Sequence, residues 1–205
     1  MSPRSSKQFD DIRKQKKKLI METALELFAE QGFHATSVSQ IAQKAGISKG
    51  LTYNYFESKD DILHEIIEEG FKSIYSNFDI NHDGVLTDDE YIYFIRQSFR
   101  IISENRNFWK LYFTIMIQHN VANLFEGEYI EKTQPILTTL LDFIKAKGSS
   151  DPEADILAIG SMLKGAYLMV VTSSDFFPAD KLENAIIDAS FKIMQSHNKS
   201  KIKQS

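Results

Sequence analysis

Lys49, Gly50, Thr52, Tyr53 and Asn54 fall within six consecutive positions and offer donors, acceptors and a glycine small enough for close approach. Groups of these kinds serve phosphate oxygens and base edges, the two classes of contact that nucleic-acid recognition needs. A second set, Asp79, Asn81, Asp83, Val85, Thr87 and Glu90, follows the twelve-residue spacing of an EF-hand loop. Side-chain oxygens fall at loop positions one, three and five, with Gly84 at six, where the turn is sharp. The Val85 carbonyl would serve at seven, Thr87 would hold a water at nine, and Glu90 would bind through both oxygens at twelve. This is a candidate calcium site. Its second half also reads as plain helix capping, because Thr87-Asp88-Asp89-Glu90 is a capping box with an acidic first turn. No nucleophile–base constellation, phosphate loop or zinc-ligand spacing is present, and His34, His64, His82, His119 and His197 are scattered. An enzyme is therefore not expected, and no cofactor is required beyond the candidate calcium ion.

The elements that carry these residues are helical, and the chain has no β-rich stretch. Ile20, Ala24, Leu27 and Phe28 form one face of a first helix that stops at Gly32. Val38, Ile41, Ala42 and Ala45 stripe a short second helix, with Ser37 and Gln40 as its capping box and Gly46 at its end. Ser48 caps a third helix holding Leu51, Tyr55 and Phe56, and Ser58 starts a fourth that runs to about Phe78. Short helix, tight turn at Gly46, short helix is the helix-turn-helix plan, whose second helix enters the major groove. Five further helices are expected over roughly 88–104, 107–119, 127–147, 153–173 and 179–197, with Pro135 kinking or starting part of one. The polar tail after residue 197 is expected to fray.

The run TSVSQIAQKAGISKGLTYNYFESKDDIL, preceded by ALELFAEQGF, resembles the TetR-family signature over residues 12–66. That resemblance implies an all-α fold: a helix-turn-helix head on a helical effector-binding and dimerisation body, in an Ω-shaped homodimer. It divides the chain into a head with a basic N-terminal arm, 1–58, and a body, 59–205. Matched residue by residue, it implies that Tyr53, Tyr55 and Lys59 contact phosphates and that Ser37 donates to one. Lys49, Thr52 and Asn54 would face base edges. Thr52 departs from the Leu or Ile usual before the tyrosine, which leaves open whether Leu51 or Thr52 turns inward. The partners implied are a double-stranded operator, a small-molecule effector and a second copy of the chain.

Charge agrees with this division. The net charge is −4, yet residues 1–59 hold ten basic side chains against six acidic ones. A basic head on an acidic body suits a head that meets a polyanion. The run Lys14, Lys16, Lys17, Lys18 either reaches flanking phosphate or is a solvated face. In the body, Trp109, Tyr112, Met116 and Tyr167 are the candidate pocket residues, with ordinary core as the other reading. An aromatic and methionine lining favours an apolar effector. ILAIGSMLKGAYLMVV is apolar nearly all round, so it must be buried on every face. Paired with the stripe Leu182, Ile186, Ala189 and Ile193, it makes a candidate dimer surface. The absence of cysteine excludes disulfides and thiolate chemistry. Without a signal-peptide core or an uninterrupted membrane-length apolar run, the expected location is the cytoplasm.

Overall fold

The computed structural model describes residues 6–118, 121–124, 126–172 and 176–195. His119, His197 and the polar tail lie outside them. The described residues form ten helices and no strand: α1 Ser6–Gln31, α2 Val38–Lys44, α3 Lys49–Tyr53, α4 Lys59–Tyr75, α5 Asp88–Glu104, α6 Arg106–Met116, α7 Val121–Leu124, α8 Glu126–Ala146, α9 Pro152–Thr172 and α10 Ala179–Gln195. Each expected helix is present. The short α7 is an addition, and α8 continues through Pro135.

The chain divides into two compact units, residues 1–71 with 111–125, and residues 72–110 with 126–205. Most of α4 and the C-terminal part of α6 fall in the same unit as residues 1–58. The physical reason is packing. A Cβ on Gly70 of α4 would lie 2.4 Å from the Tyr112 ring of α6, so only glycine lets the two approach. The Tyr112 hydroxyl also donates to the Ile67 carbonyl at 3.4 Å.

In the first unit, Ile20, Ala24, Leu27 and Phe28 of α1 are buried with Ile41 and Ala42 of α2, Phe56, and Ile62, Leu63 and Ile66 of α4. Phe33 meets Phe28 edge-on at 5.1 Å between centroids. In the second unit, Tyr91 stacks on Phe143, and Phe99 meets Tyr167 edge-on at 5.3 Å. The Tyr167 hydroxyl donates to Ser98 Oγ at 2.7 Å, and Ser98 in turn donates to the Ile95 carbonyl.

Within one chain, helix α9 is buried on only part of its surface. Ile159, Ala166, Tyr167 and Val170 are buried, but Leu157 is 70% exposed, Leu168 48% and Met169 41%. By length and composition alone α9 could cross a membrane, unlike the sequence expectation, although it also holds the buried Asp155 and the exposed Lys164. Ser149 Oγ donates to the Asp155 carboxylate at 2.6 Å.

Candidate nucleic-acid interface

Local capping fixes the turn between α2 and α3. The Ser37 side chain accepts from the Gln40 N–H at 3.3 Å, and the Ser37 N–H donates to Gln40 Oε1 at 2.8 Å, which starts α2 squarely at Val38. Gly46 takes a left-handed φ of +67°, where a side chain would be strained, and the Ile47 N–H reaches back to the Ala42 carbonyl at 3.0 Å. Ser48 then caps α3 by accepting from the Leu51 N–H at 3.1 Å.

These constraints turn one side of α3 outward. Lys49, Gly50, Tyr53 and Asn54 are exposed, as is Ser37 ahead of α2. Tyr53 is 48% exposed, with the Lys49 ammonium 5.9 Å from its ring centroid. A Cβ at Gly50 would meet no atom within 4 Å, so nothing inside the chain demands glycine there. Tyr55 is half-buried, with the Arg13 guanidinium 5.9 Å from its ring centroid.

Two expected contacts are corrected. Thr52 is fully buried, so it is the residue that turns inward, and it cannot face a base edge. Its hydroxyl lies 3.4 Å from the Ser48 carbonyl instead. Lys59, expected on phosphate, is engaged within the chain. Its ammonium donates to the carbonyls of Phe33 at 2.9 Å, His34 at 3.1 Å and Thr36 at 3.1 Å, and lies 4.6 Å from the centroid of the Phe33 ring. All three of its donors are committed, so Lys59 clamps the corner between α1 and α2.

The family model described as bacterial regulatory proteins, tetR family, matches residues 20–66. The chain is 56% identical over 50 residues to the uncharacterized HTH-type transcriptional regulator YuxN of Bacillus subtilis, covering 24% of this chain and 17% of that protein. It is 30% identical over 132 residues to YhgD of the same organism, another uncharacterized HTH-type transcriptional regulator, covering 64% of this chain and 66% of that one. A TetR family transcription regulator from Marinobacter aquaeolei shares the fold, with a TM-score of 0.69 at 19% identity over 91% of this chain and 97% of that one. Residues 20–66 therefore carry a TetR-family DNA-binding region.

The second unit holds a half-open cavity of about 350 Å³. Leu137, Leu140 and Ile144 of α8 face Ile156, Leu163 and Tyr167 of α9 across it, and Lys164 stands among the lining residues. Of the four expected pocket residues only Tyr167 lines it. Trp109 is buried away from it, and Tyr112 and Met116 belong to the first unit, where Tyr112 packs on Gly70. The α8 residues were missed. Their signal was the spacing Thr133, Leu137, Leu140, Ile144, one stripe on a helix whose opposite face is polar.

The 79–90 segment is organised mainly by its own polar groups. Asp79 accepts from the Gly84 N–H at 2.9 Å, Asn81 from the Asp83 N–H at 3.1 Å, and Asp83 from the Val85 N–H at 2.8 Å. Gly84 and His82 both take left-handed φ values, +76° and +57°. Glu90 is buried and accepts from the Thr87 N–H and hydroxyl at 3.0 and 2.8 Å, so Thr87 and Glu90 form the capping box of α5. Among the described residues no three His, Cys, Asp or Glu side chains gather as a metal cluster. The Asp79 Oδ1 atom is buried without a hydrogen-bond partner.

Proposed function

We propose that the chain is a homodimeric, DNA-binding transcriptional regulator, a repressor released by a small apolar effector. The observation that carries this reading is the outward side of α3, where Lys49, Tyr53 and Asn54 stand exposed beyond the left-handed turn at Gly46. Asn54 and Lys49 suit base edges, while Tyr53, Tyr55 and Ser37 suit phosphates. Two-fold pairing supplies two such heads for half-sites roughly 34–36 Å apart, or a multiple of that. The exposed apolar side of α9 at Leu168 and Met169 supports a second copy as its cover. An added Cβ at Gly165 would meet nothing within 4 Å, which leaves room for another helix to come close.

The cavity supports the effector half of the reading. Its volume, about 350 Å³, lies in the range of small-molecule sites, and its wall is mostly aliphatic and aromatic. Both α4 and α6 contribute residues to each unit, so a change in the second unit has a covalent route to the first. Release requires that the effector bind the DNA-free arrangement more tightly than the DNA-bound one. The test is selection of binding sites from random double-stranded DNA with the purified protein. Enrichment of a two-fold symmetric site is the expected result, and the absence of any enriched sequence would overturn the reading.

A second reading, a calcium-responsive regulator, is favoured by one observation: Asp79 Oδ1, which the loop pattern puts at ligand position one, is buried and unpartnered. Asp79, Asn81 and Asp83 with the Val85 carbonyl would hold the ion, and Glu90 would have to leave Thr87 to join them. Calorimetry at millimolar calcium tests it. Heat that Glu90→Gln abolishes is expected, and no heat with the unmodified protein overturns it.

A further inference from the structure

Helix α1 is 26 residues long, and its first fourteen precede the region matched to the TetR family, which begins at residue 20. Between residues 6 and 18 it carries six basic side chains against two acidic ones. Like charges three and four residues apart on a helix repel, so this density opposes the helix that holds it. Two contacts fix the basic segment against the head. The Arg13 guanidinium lies 5.9 Å from the Tyr55 ring centroid, and Lys17 pairs with Glu65 of α4 at 2.7 Å while lying 5.5 Å from the Phe56 ring centroid. Asp10, Arg13, Lys14 and Lys17 together line one surface recess. Arg13 and Lys14 are exposed, and Lys14 and Lys16 have no carboxylate partner among the described residues.

We propose that this N-terminal half of α1 is a second DNA-backbone surface, gripping phosphates that flank the base pairs read by α3. The inference rests on the DNA-binding reading and extends its footprint to residues outside the helix-turn-helix. Tyr55 ties the two surfaces together, since it follows the exposed residues of α3 and carries Arg13 over its ring. Arg13, Lys14 and Lys16 supply the free positive charge. Lys17 and Lys18 are already paired, with Glu65 and Glu22. A backbone grip of this kind adds affinity and salt dependence without sequence preference.

The test uses the full chain and a DNA site selected with the unmodified protein. Binding is followed from about 50 to 200 mM salt for the unmodified protein and for Arg13→Ala/Lys14→Ala/Lys16→Ala, whose fold is checked by circular dichroism. The slope of log affinity against log salt should become shallower by ~0.9 for each phosphate that the variant no longer neutralises. Base preference should stay the same, and trimming the flanking base pairs should erase the difference between the two proteins. Asp10→Asn, which adds no new cation, should tighten binding to the flanked site. Equal slopes and affinities for the two proteins would overturn the proposal. So would an equal flattening in Lys145→Ala/Lys181→Ala/Lys192→Ala, which changes net charge by the same amount elsewhere. If the unmodified protein selects no DNA, the regulator reading fails first, whereas selective binding with an unchanged slope sinks this inference alone.

Discussion

Gln118 holds the backbone of Phe33. Its Oε1 accepts from the Phe33 N–H at 3.0 Å, and its Nε2 donates to the Phe28 carbonyl at 2.7 Å. One side chain from beyond α6 thereby satisfies the Phe33 N–H and adds a second donor to the Phe28 carbonyl, which already accepts from the Gly32 N–H at 3.1 Å. Lys59 holds the opposite side of the same corner through the carbonyls of Phe33, His34 and Thr36. Gln118→Leu keeps the bulk but strips both hydrogen bonds from part-buried backbone groups. It should destabilise the chain by roughly 1–3 kcal/mol, read from urea unfolding. With Lys59→Met it should form a non-additive pair in a double-mutant cycle, because both act on one segment. Strict additivity would show that the corner is not a shared unit.

Lys59 and Tyr53 should separate in their effects. Tyr53→Ala removes an exposed ring and should weaken binding to every DNA sequence, with the melting temperature nearly unchanged. Lys59→Met should lower stability, with DNA binding falling as a consequence. Measuring both quantities on both variants decides the matter. A Lys59 variant of full stability that binds DNA poorly would restore the direct phosphate contact.

At the base edges, Thr52→Val should leave sequence preference unaltered, since Thr52 is buried. Asn54→Ala should relax preference at one or two positions, each by about 1–3 kcal/mol of discrimination. Repeating the site selection with each variant reads this out directly.

Leu168 and Ile186 are equal candidates for the dimer face by sequence, and the structure separates them. Leu168 is 48% exposed on α9, whereas Ile186 is 8% exposed within its own chain. Leu168→Glu should give a folded monomer by sedimentation. Ile186→Glu should instead unfold the body, because a charge is left unpaired in a core, at several kcal/mol. A Leu168→Glu protein that stays dimeric would move the interface off this stripe.

Alkaline pH should weaken the body before the rest of the chain. Burial pushes the Tyr91 phenol up to about 12 and raises the Tyr167 phenol as well. Below the ordinary tyrosine value of about 10 both states keep the proton, and stability does not depend on these groups. As pH rises from there through the folded values, only the unfolded chain ionises, so stability falls by about 1.4 kcal/mol per pH unit for each phenol. Tyr91→Phe should make that decline shallower between about pH 10 and 12, followed by urea unfolding across the range.

The sequence alone determined whatever depends on neighbours a few residues apart. Caps at Ser37, Ser48 and Thr87, the left-handed turn at Gly46 and the helical periodicity all act within about one turn, so they are legible in order along the chain. Their sum is the head, with the exposed side of α3 at Lys49, Gly50, Tyr53 and Asn54. Tertiary structure decided what depends on partners far away in the chain. Lys59 and the Phe33 carbonyl are 26 residues apart, and Gln118 and the Phe28 carbonyl 90, so neither clamp leaves a local pattern. The inward turn of Thr52 required knowing which side of a five-residue helix meets the core, a choice its composition leaves balanced. The wall of the α8–α9 cavity is not legible locally for the same reason. An aromatic such as Tyr112 is equally fit to fill a core or line a pocket, and the missing side chain of Gly70 drew it into the core.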